Sequence, residues 1–186
     1  MKYLIVSDIH GSSDSSKKIL ELFNKNKCDM VMILGDILYH GPRNDLPESY
    51  NPKEVIKDLN SIKDKIIAIK GNCDAEVDEM VLNFKIIELY DGIINNINLH
   101  LEHGHHLDLI RYNNSKLVLF GHTHIPTIYN EDDVCLINPG SITLPKMNNP
   151  RSYGIWDNNN IKIYDLEDNI LIASIGAFLP LPLAVK

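Results

Sequence analysis

The chain has 186 residues, with 18 Lys and Arg against 25 Asp and Glu, a formal net charge of −7. A hydrophobic fraction of 44% with 23% charged residues excludes a disordered, collagenous or coiled-coil chain, and the length suits one compact domain over 1–186. The acidic balance speaks against broad, sequence-blind nucleic-acid binding, which draws on clustered Lys and Arg, but leaves room for a small phosphorylated substrate where a metal reverses the local field.

Residues 3–6 form a short apolar run ending in Ser7-Asp8-Ile9-His10-Gly11, the pattern of a buried first strand and its loop. Ser12 or Ser13 then caps a helix whose face carries Ile19, Leu20, Leu22 and Phe23. Residues 30–34 give a second strand stopped by Gly35-Asp36, and a polar stretch over 39–51 is long for a mere connection. Asn51 before Pro52 starts a second helix with Val55, Ile56, Leu59 and Ile62 as its buried stripe. Residues 66–69 make a third strand, ended by Lys70-Gly71-Asn72-Cys73-Asp74. This β-α-β-α-β order implies a parallel sheet.

Beyond it the pattern changes to short strand-like runs at 99–102, 117–120, 134–137, 153–156, 161–165 and 170–174, with Asp157-Asn158-Asn159-Asn160 as a hairpin. The expected architecture is α/β, with two mixed sheets packed together and helices outside. Cys28, Cys73 and Cys135 are an odd number without framework spacing, which reads as thiols in a reducing cytoplasm. Asp8 falls too early for a signal peptide, and no apolar run approaches the ~20 residues of a membrane helix. The tail 175–186 is apolar and interrupted by Pro180 and Pro182, so a homo-oligomer is expected to cover it.

The polar residues at the strand ends carry the chemistry. Asp8 and His10 follow strand one, Asp36 strand two and Asn72 strand three; His103 follows the run 99–102, and His122 and His124 follow 117–120. In an open α/β sheet the ligand crevice lies outside these carboxyl ends. If Gly121-His122-Thr123-His124 is extended, its two imidazoles share one side. Each fragment alone is turn chemistry; seven oxygen and nitrogen ligands in regular order are not. Mixed imidazole, carboxylate and amide donors suit Mn, Fe or Zn better than a purely oxygen-ligated ion.

The set Asp8-x-His10, Gly35-Asp36, Gly71-Asn72, His103 and Gly121-His122-Thr123-His124 resembles the calcineurin-like metallophosphoesterase superfamily, and within it the small bacterial phosphodiesterases. The segments His40-Gly41-Pro42-Arg43-Asn44, Gly71-Asn72-Cys73-Asp74, His103-Gly104-His105 and Asn138-Pro139-Gly140-Ser141 support that resemblance, which spans nearly the whole chain. It implies a four-layer α-β-β-α sandwich holding two divalent ions, Mn²⁺ foremost with Fe, Zn or Ni as alternatives. Asp8, His10 and His124 would hold one ion, Asn72, His103 and His122 the other, and Asp36 would bridge them. The implied reaction is hydrolysis of a small phosphodiester by hydroxide held between the ions. A phosphomonoesterase or protein phosphatase, and a non-catalytic scaffold on the same fold, are the alternatives.

Around this set, Arg43 and His105 are candidate substrate contacts, with exposed loop residues as the alternative reading. His40 opens the polar loop, and His100 alternates into a strand as a structural residue. Many members of the superfamily carry His after Gly-Asn; here Cys73 stands there, followed by Asp74, and these two are the candidate catalytic residues, Asp74 as an orienting group.

Overall fold

The computed structural model describes residues 1–106 and 115–176. Strand β1 (Lys2–Val6) leads through α1 (Ser13–Lys25) to β2 (Met30–Ile33), and α2 (Pro52–Asn60) leads to β3 (Ile66–Ile69). The short β4 (Ile86–Ile87) completes this half. Then come β5 (Tyr90–Ile94), β6 (Ile97–Leu101), β7 (Leu117–Leu119), β8 (Pro126–Glu131) and β9 (Val134–Pro139), followed by β10 (Ser152–Asp157), β11 (Asn160–Asp165) and β12 (Leu171–Gly176). Seven strands form one sheet in the order β12-β11-β10-β1-β2-β3-β4, and five form another, β5-β6-β7-β9-β8.

Both sheets are mixed, as expected. Strands β1 to β4 run parallel to their neighbours, while β10 pairs antiparallel with β1. In the second sheet β6, β7 and β9 are parallel, flanked by antiparallel β5 and β8. The period of two decides the layering. On β1, Leu4 and Val6 face the helices, packing with Ile19, Leu22, Val55 and Leu59. Tyr3 and Ile5 face the opposite way, into a core shared with Leu99, Leu101, Leu117, Leu119 and Ile137 of the second sheet.

The helix starts follow their capping chemistry. Ser12, not Ser13, caps α1, its hydroxyl accepting the Ser15 N–H at 3.2 Å. Asn51 caps α2, with Pro52 in the first turn, where a missing N–H costs nothing. That helix closes at Asn60, so Ile62 packs on the core from just beyond it. Among the described residues both α-helices lie on the seven-stranded sheet. The outer face of the five-stranded sheet carries Val118, Phe120 and Leu136; a covering helix there is not among the described residues.

The strands β4, β5 and β8 were not anticipated. The β5–β6 hairpin turns on Asn95-Asn96, both left-handed at φ 50° and 63°, which is a two-residue turn written in the sequence. The anticipated hairpin at 157–160 forms, with Asp157 opposite Asn160. The apolar tail from residue 177 onward lies outside the described residues.

Candidate metal centre

The loops after the parallel strands of both sheets meet at one edge. Asp8 and His10 follow β1, Asp36 follows β2, Asn72 follows β3, His103 follows β6, and His122 and His124 follow β7. Backbone hydrogen bonds lace the loops together: Asp8 N–H donates to Gly35 O at 3.1 Å, His10 N–H to Asp36 O at 2.9 Å, and Gly121 N–H to His103 O at 2.7 Å.

Five of these seven residues have left-handed backbones: Asp8 (φ 58°), His10 (φ 49°), Asp36 (φ 56°), His122 (φ 65°) and His124 (φ 61°). Non-glycine residues pay for that conformation, and such strain gathers where function over-determines geometry. The expectation of an extended 121–124 segment is therefore corrected. Both imidazoles turn inward from left-handed positions and part company. His124 Nε2 lies 3.3 Å from His10 Nε2, whereas the His122 ring lies 5.1 Å from that of His103.

Asp8, His10 and His124 place their ligand atoms together, as do Asp8, Asp36 and His103. Asp36 Oδ2 stands between the two groups, 3.7 Å from His10 Nε2 and 3.4 Å from His103 Nε2. Asn72 Oδ1 is 3.1 Å from the same His103 nitrogen. Close packing leaves no room for a Cβ at Gly71, which would collide with the Asp36 carboxylate, or at Gly35 (φ 93°), whose Cβ would fall 2.5 Å from His103 Nδ1.

The imidazole tautomers are set from behind. His10 Nδ1–H donates to Tyr39 O at 2.9 Å, His103 Nδ1–H to Leu34 O at 2.7 Å, and His124 Nδ1–H to Leu144 O. A carbonyl accepts only from N–H, so each Nε2 points inward as a ligand atom. The fully buried Asp8 Oδ1 has no hydrogen-bond partner, although His124 Nε2 stands 3.3 Å away. Buried lone pairs converging on buried carboxylates need a cation among them. The donor set fits a divalent metal.

The charges say the same. Burial opposes ionisation of Asp36, yet His103, the Cys73 N–H and His10 outweigh it and hold the carboxyl well below its usual range. Burial also opposes a charge on His103, but Asp36 and Asp8 push that imidazole up to about 9. His122 goes the other way, to about 4, through burial and the neighbouring His103.

Several residues support the centre without lining it. Asp74 accepts N–H bonds from Asp36 (2.8 Å), Ile37 (2.7 Å) and Gly71 (2.7 Å), tying two ligand loops together. Its carboxylate meets three backbone N–H groups, so Asp74 positions the loops that carry the candidate ligands. Cys73 does line the pocket: its N–H donates to Asp36 Oδ1 at 2.8 Å, and its Sγ accepts from Asn72 Nδ2 at 3.2 Å, which turns the amide oxygen inward. Burial and then Asp36 push the Cys73 thiol up to about 12. Asn138 and Ser141 clamp from behind, Asn138 Nδ2 donating to Gly121 O at 2.6 Å and Ser141 Oγ to Asp8 O at 2.9 Å. Arg43 reaches the pocket, and exposed His105 sits 5.5 Å ring to ring from His103. His100 is structural, bonded through Nδ1 to Asp91 at 2.7 Å. Lys146 and Asn44 also line the pocket; Asn44 ends the segment 40–44 that supports the resemblance but carries no role of its own there, and Lys146 lies in no recognisable motif.

This edge of loops over two packed mixed sheets defines a phosphoesterase of the calcineurin-like type. Residues 1–160 match the calcineurin-like phosphoesterase superfamily domain, and the chain belongs to that family. Among its relatives, phosphodiesterase YfcE of Escherichia coli K12 is 41% identical over 180 residues, covering 95% of this chain and 98% of that protein. The solved structure of Yfce, described as a phosphoesterase from E. coli, superposes with a TM-score of 0.90 at 40% identity, over 95% of this chain and 99% of that one. Phosphodiesterase MJ0936 of Methanocaldococcus jannaschii is 28% identical over 151 residues, 75% of this chain and 83% of that protein. Vacuolar protein sorting 29 from Cryptosporidium parvum shares the fold, with a TM-score of 0.66 at 18% identity over 95% of this chain and 98% of that one.

Proposed function

We propose that the chain is a metal-dependent phosphodiesterase with two divalent ions in this centre. The observation that carries the reading is the position of Asp36 Oδ2 between the inward-facing Nε2 atoms of His10 and His103, beside an unpartnered Asp8 Oδ1. Asp8, His10 and His124 would hold one ion, and Asn72, His103 and His122 the other. Asp36 would serve both, because a shared carboxylate offsets repulsion between neighbouring like charges. Mn²⁺ is the ion of choice, with Fe, Zn or Ni also suited to these donors. When bound there, the ions would supply charge neutralisation for phosphoryl oxygens and lower the pKa of a water.

The chain's own residues do the rest. Tyr39, Leu34 and Leu144 carbonyls hold the imidazoles in the ligating tautomer, and Cys73 orients Asn72. Arg43 meets the substrate at the rim. The diester preference follows the naming of the 41% identical relative. A scaffold reading loses ground because all seven expected ligand residues are present in the sequence at this edge of loops. Reduced thiols at Cys28, Cys73 and Cys135 favour a cytoplasmic enzyme, and no described helix is long and apolar enough to cross a membrane. A homo-oligomer covering the apolar tail completes the reading.

The test is reconstitution. Protein stripped by a chelator is titrated with Mn²⁺ while bis(p-nitrophenyl) phosphate and p-nitrophenyl phosphate are turned over in parallel. Activity should return at two ions per chain, with the diester preferred. Full activity in exhaustively metal-free protein would remove the reading, and a monoester preference would turn it toward the phosphatase alternative.

A further inference from the structure

The pocket over the centre has walls of one chemical character. Among the described residues it is lined by Gly41, Pro42, Arg43, Asn44, Cys73 and Lys146 above the ligands Asp36, Asn72, His122 and His124. No aromatic ring besides the two imidazoles and no large aliphatic side chain is among them. The nearby rings of Tyr39, His40 and Tyr50 pack on one another instead, at 4.7 and 5.4 Å, outside this lining. Among the described residues a stacked base or an acyl chain finds no platform here, whereas a charged, hydrogen-bonding arm does.

Two cations flank the opening, and both are presented by ordered turns. Lys146 begins a turn in which Met147 and Asn148 are both left-handed, at φ 56° and 58°. Its carbonyl accepts from Asn149 N–H at 3.1 Å and from Asn149 Nδ2 at 2.8 Å, and its own N–H donates to the carbonyl of His124 at 3.4 Å. Met147 has no side-chain bond that favours a positive φ, so the strain is borne to keep Lys146 against a ligand loop. Opposite it, Gly41 (φ 78°) turns the chain against Cys73 Sγ, and Asn44 Nδ2 donates to His40 O at 2.8 Å, closing the turn that carries Arg43. Neither side chain has a carboxylate partner among the described residues.

We propose that Arg43 and Lys146 form a second-anion subsite, so that the preferred substrate is a phosphodiester one of whose ester arms carries a further anionic group such as a phosphate. This deepens the phosphodiesterase reading and rests on it. The scissile diester carries a single negative charge and meets the ligand cluster, which leaves the two rim cations for a charge elsewhere on the substrate. A guanidinium forks onto phosphate oxygens and an ammonium adds a point charge, and together they select by charge without reading a base.

The experiment compares two diesters with one scissile bond, thymidine 5′-(p-nitrophenyl phosphate) with and without a 3′-phosphate, on Mn²⁺-loaded enzyme. The kcat/KM ratio should favour the 3′-phosphorylated form by about tenfold or more, mainly through KM, and should shrink as KCl is raised. Arg43→Gln and Lys146→Gln should each lower the ratio by about tenfold, with Lys162→Gln on remote β11 as the control that keeps it. Calorimetric titration gives a readout without turnover: thymidine 3′,5′-bisphosphate should bind more tightly than thymidine 5′-monophosphate, and Lys146→Gln should narrow the gap. A wild-type ratio near one, or a preference that survives both substitutions, overturns the subsite while leaving the diesterase reading intact. Failure to cleave either diester overturns both.

Discussion

At the scale of single residues, Asp36 is the ligand on which the proposed centre most depends, because its Oδ2 lies 3.7 Å from His10 Nε2 and 3.4 Å from His103 Nε2. We expect Asp36→Asn to cut kcat by at least about 100-fold and to lower the metal content of the purified protein for both ions. Asn72→Ala should do less, since exposed Asn72 belongs to one cluster only. Elemental analysis beside the diester assay separates them; equal loss of metal in the two variants would deny Asp36 its bridging place. Asp74 acts at one remove. Its buried carboxylate accepts three backbone N–H groups, and Asp74→Asn replaces one acceptor with a donor aimed at another donor. The expected cost is roughly 2–3 kcal/mol of stability, read by urea unfolding of metal-free protein, with a weaker metal site as a consequence.

At the scale of elements, the site consists of strand ends and the tight turns that follow them. Most of those strands were legible as apolar runs bounded by Gly-Asp, Gly-Asn or Gly-His. β5 and β8 were not: they are half-exposed edge strands in which burial leaves no continuous apolar stripe, so periodicity is weak. β5 is secured instead by pairs such as Asp91 opposite His100. Glu102 and Asp91 both raise the His100 pKa, and the 2.7 Å contact with Asp91 is the hydrogen bond of the two. A histidine whose folded pKa lies above its unfolded value stabilises the fold below the unfolded value, and that contribution is lost as pH rises through the folded one. The stability gap between wild type and Asp91→Asn should therefore be greatest below about pH 6 and close at alkaline pH. Because Asp91 is half exposed, the gap is expected to be only about 0.5 kcal/mol at low salt. A gap that widens with rising pH would assign the pair another role.

At the scale of the whole molecule, the centre joins the two sheets. Asp8 and Asp36 hang from the seven-stranded sheet and His103, His122 and His124 from the five-stranded one, so under the proposed reading a metal would be ligated from both. Ions that bind only the folded state raise its stability by mass action. Chelation should lower the melting temperature as well as abolish turnover, and Mn²⁺ should restore both. With Asp36→Asn the Mn²⁺-dependent rise in melting temperature should be largely absent. A melting temperature indifferent to chelator would mean that the ions do not clasp the sheets together. The expected oligomer is checked by light scattering on the full-length chain, where a clean monomer at micromolar concentration would remove it.

The sequence by itself determined the donors and their order, because a ligand's chemistry is carried by residue type, and the end of each apolar run marks where a sheet delivers it. It also determined the α/β class, through the change from helical to alternating periodicity along the chain. Tertiary structure alone decided which donors share a cluster: His122 and His124 are two residues apart, yet left-handed backbones send them to different neighbours. It decided that Asp74 braces the loops, because only the fold shows three N–H groups already occupying its carboxylate. And it brought Lys146 to the rim opposite Arg43, 103 positions away in the chain, a proximity that packing creates and no local pattern records.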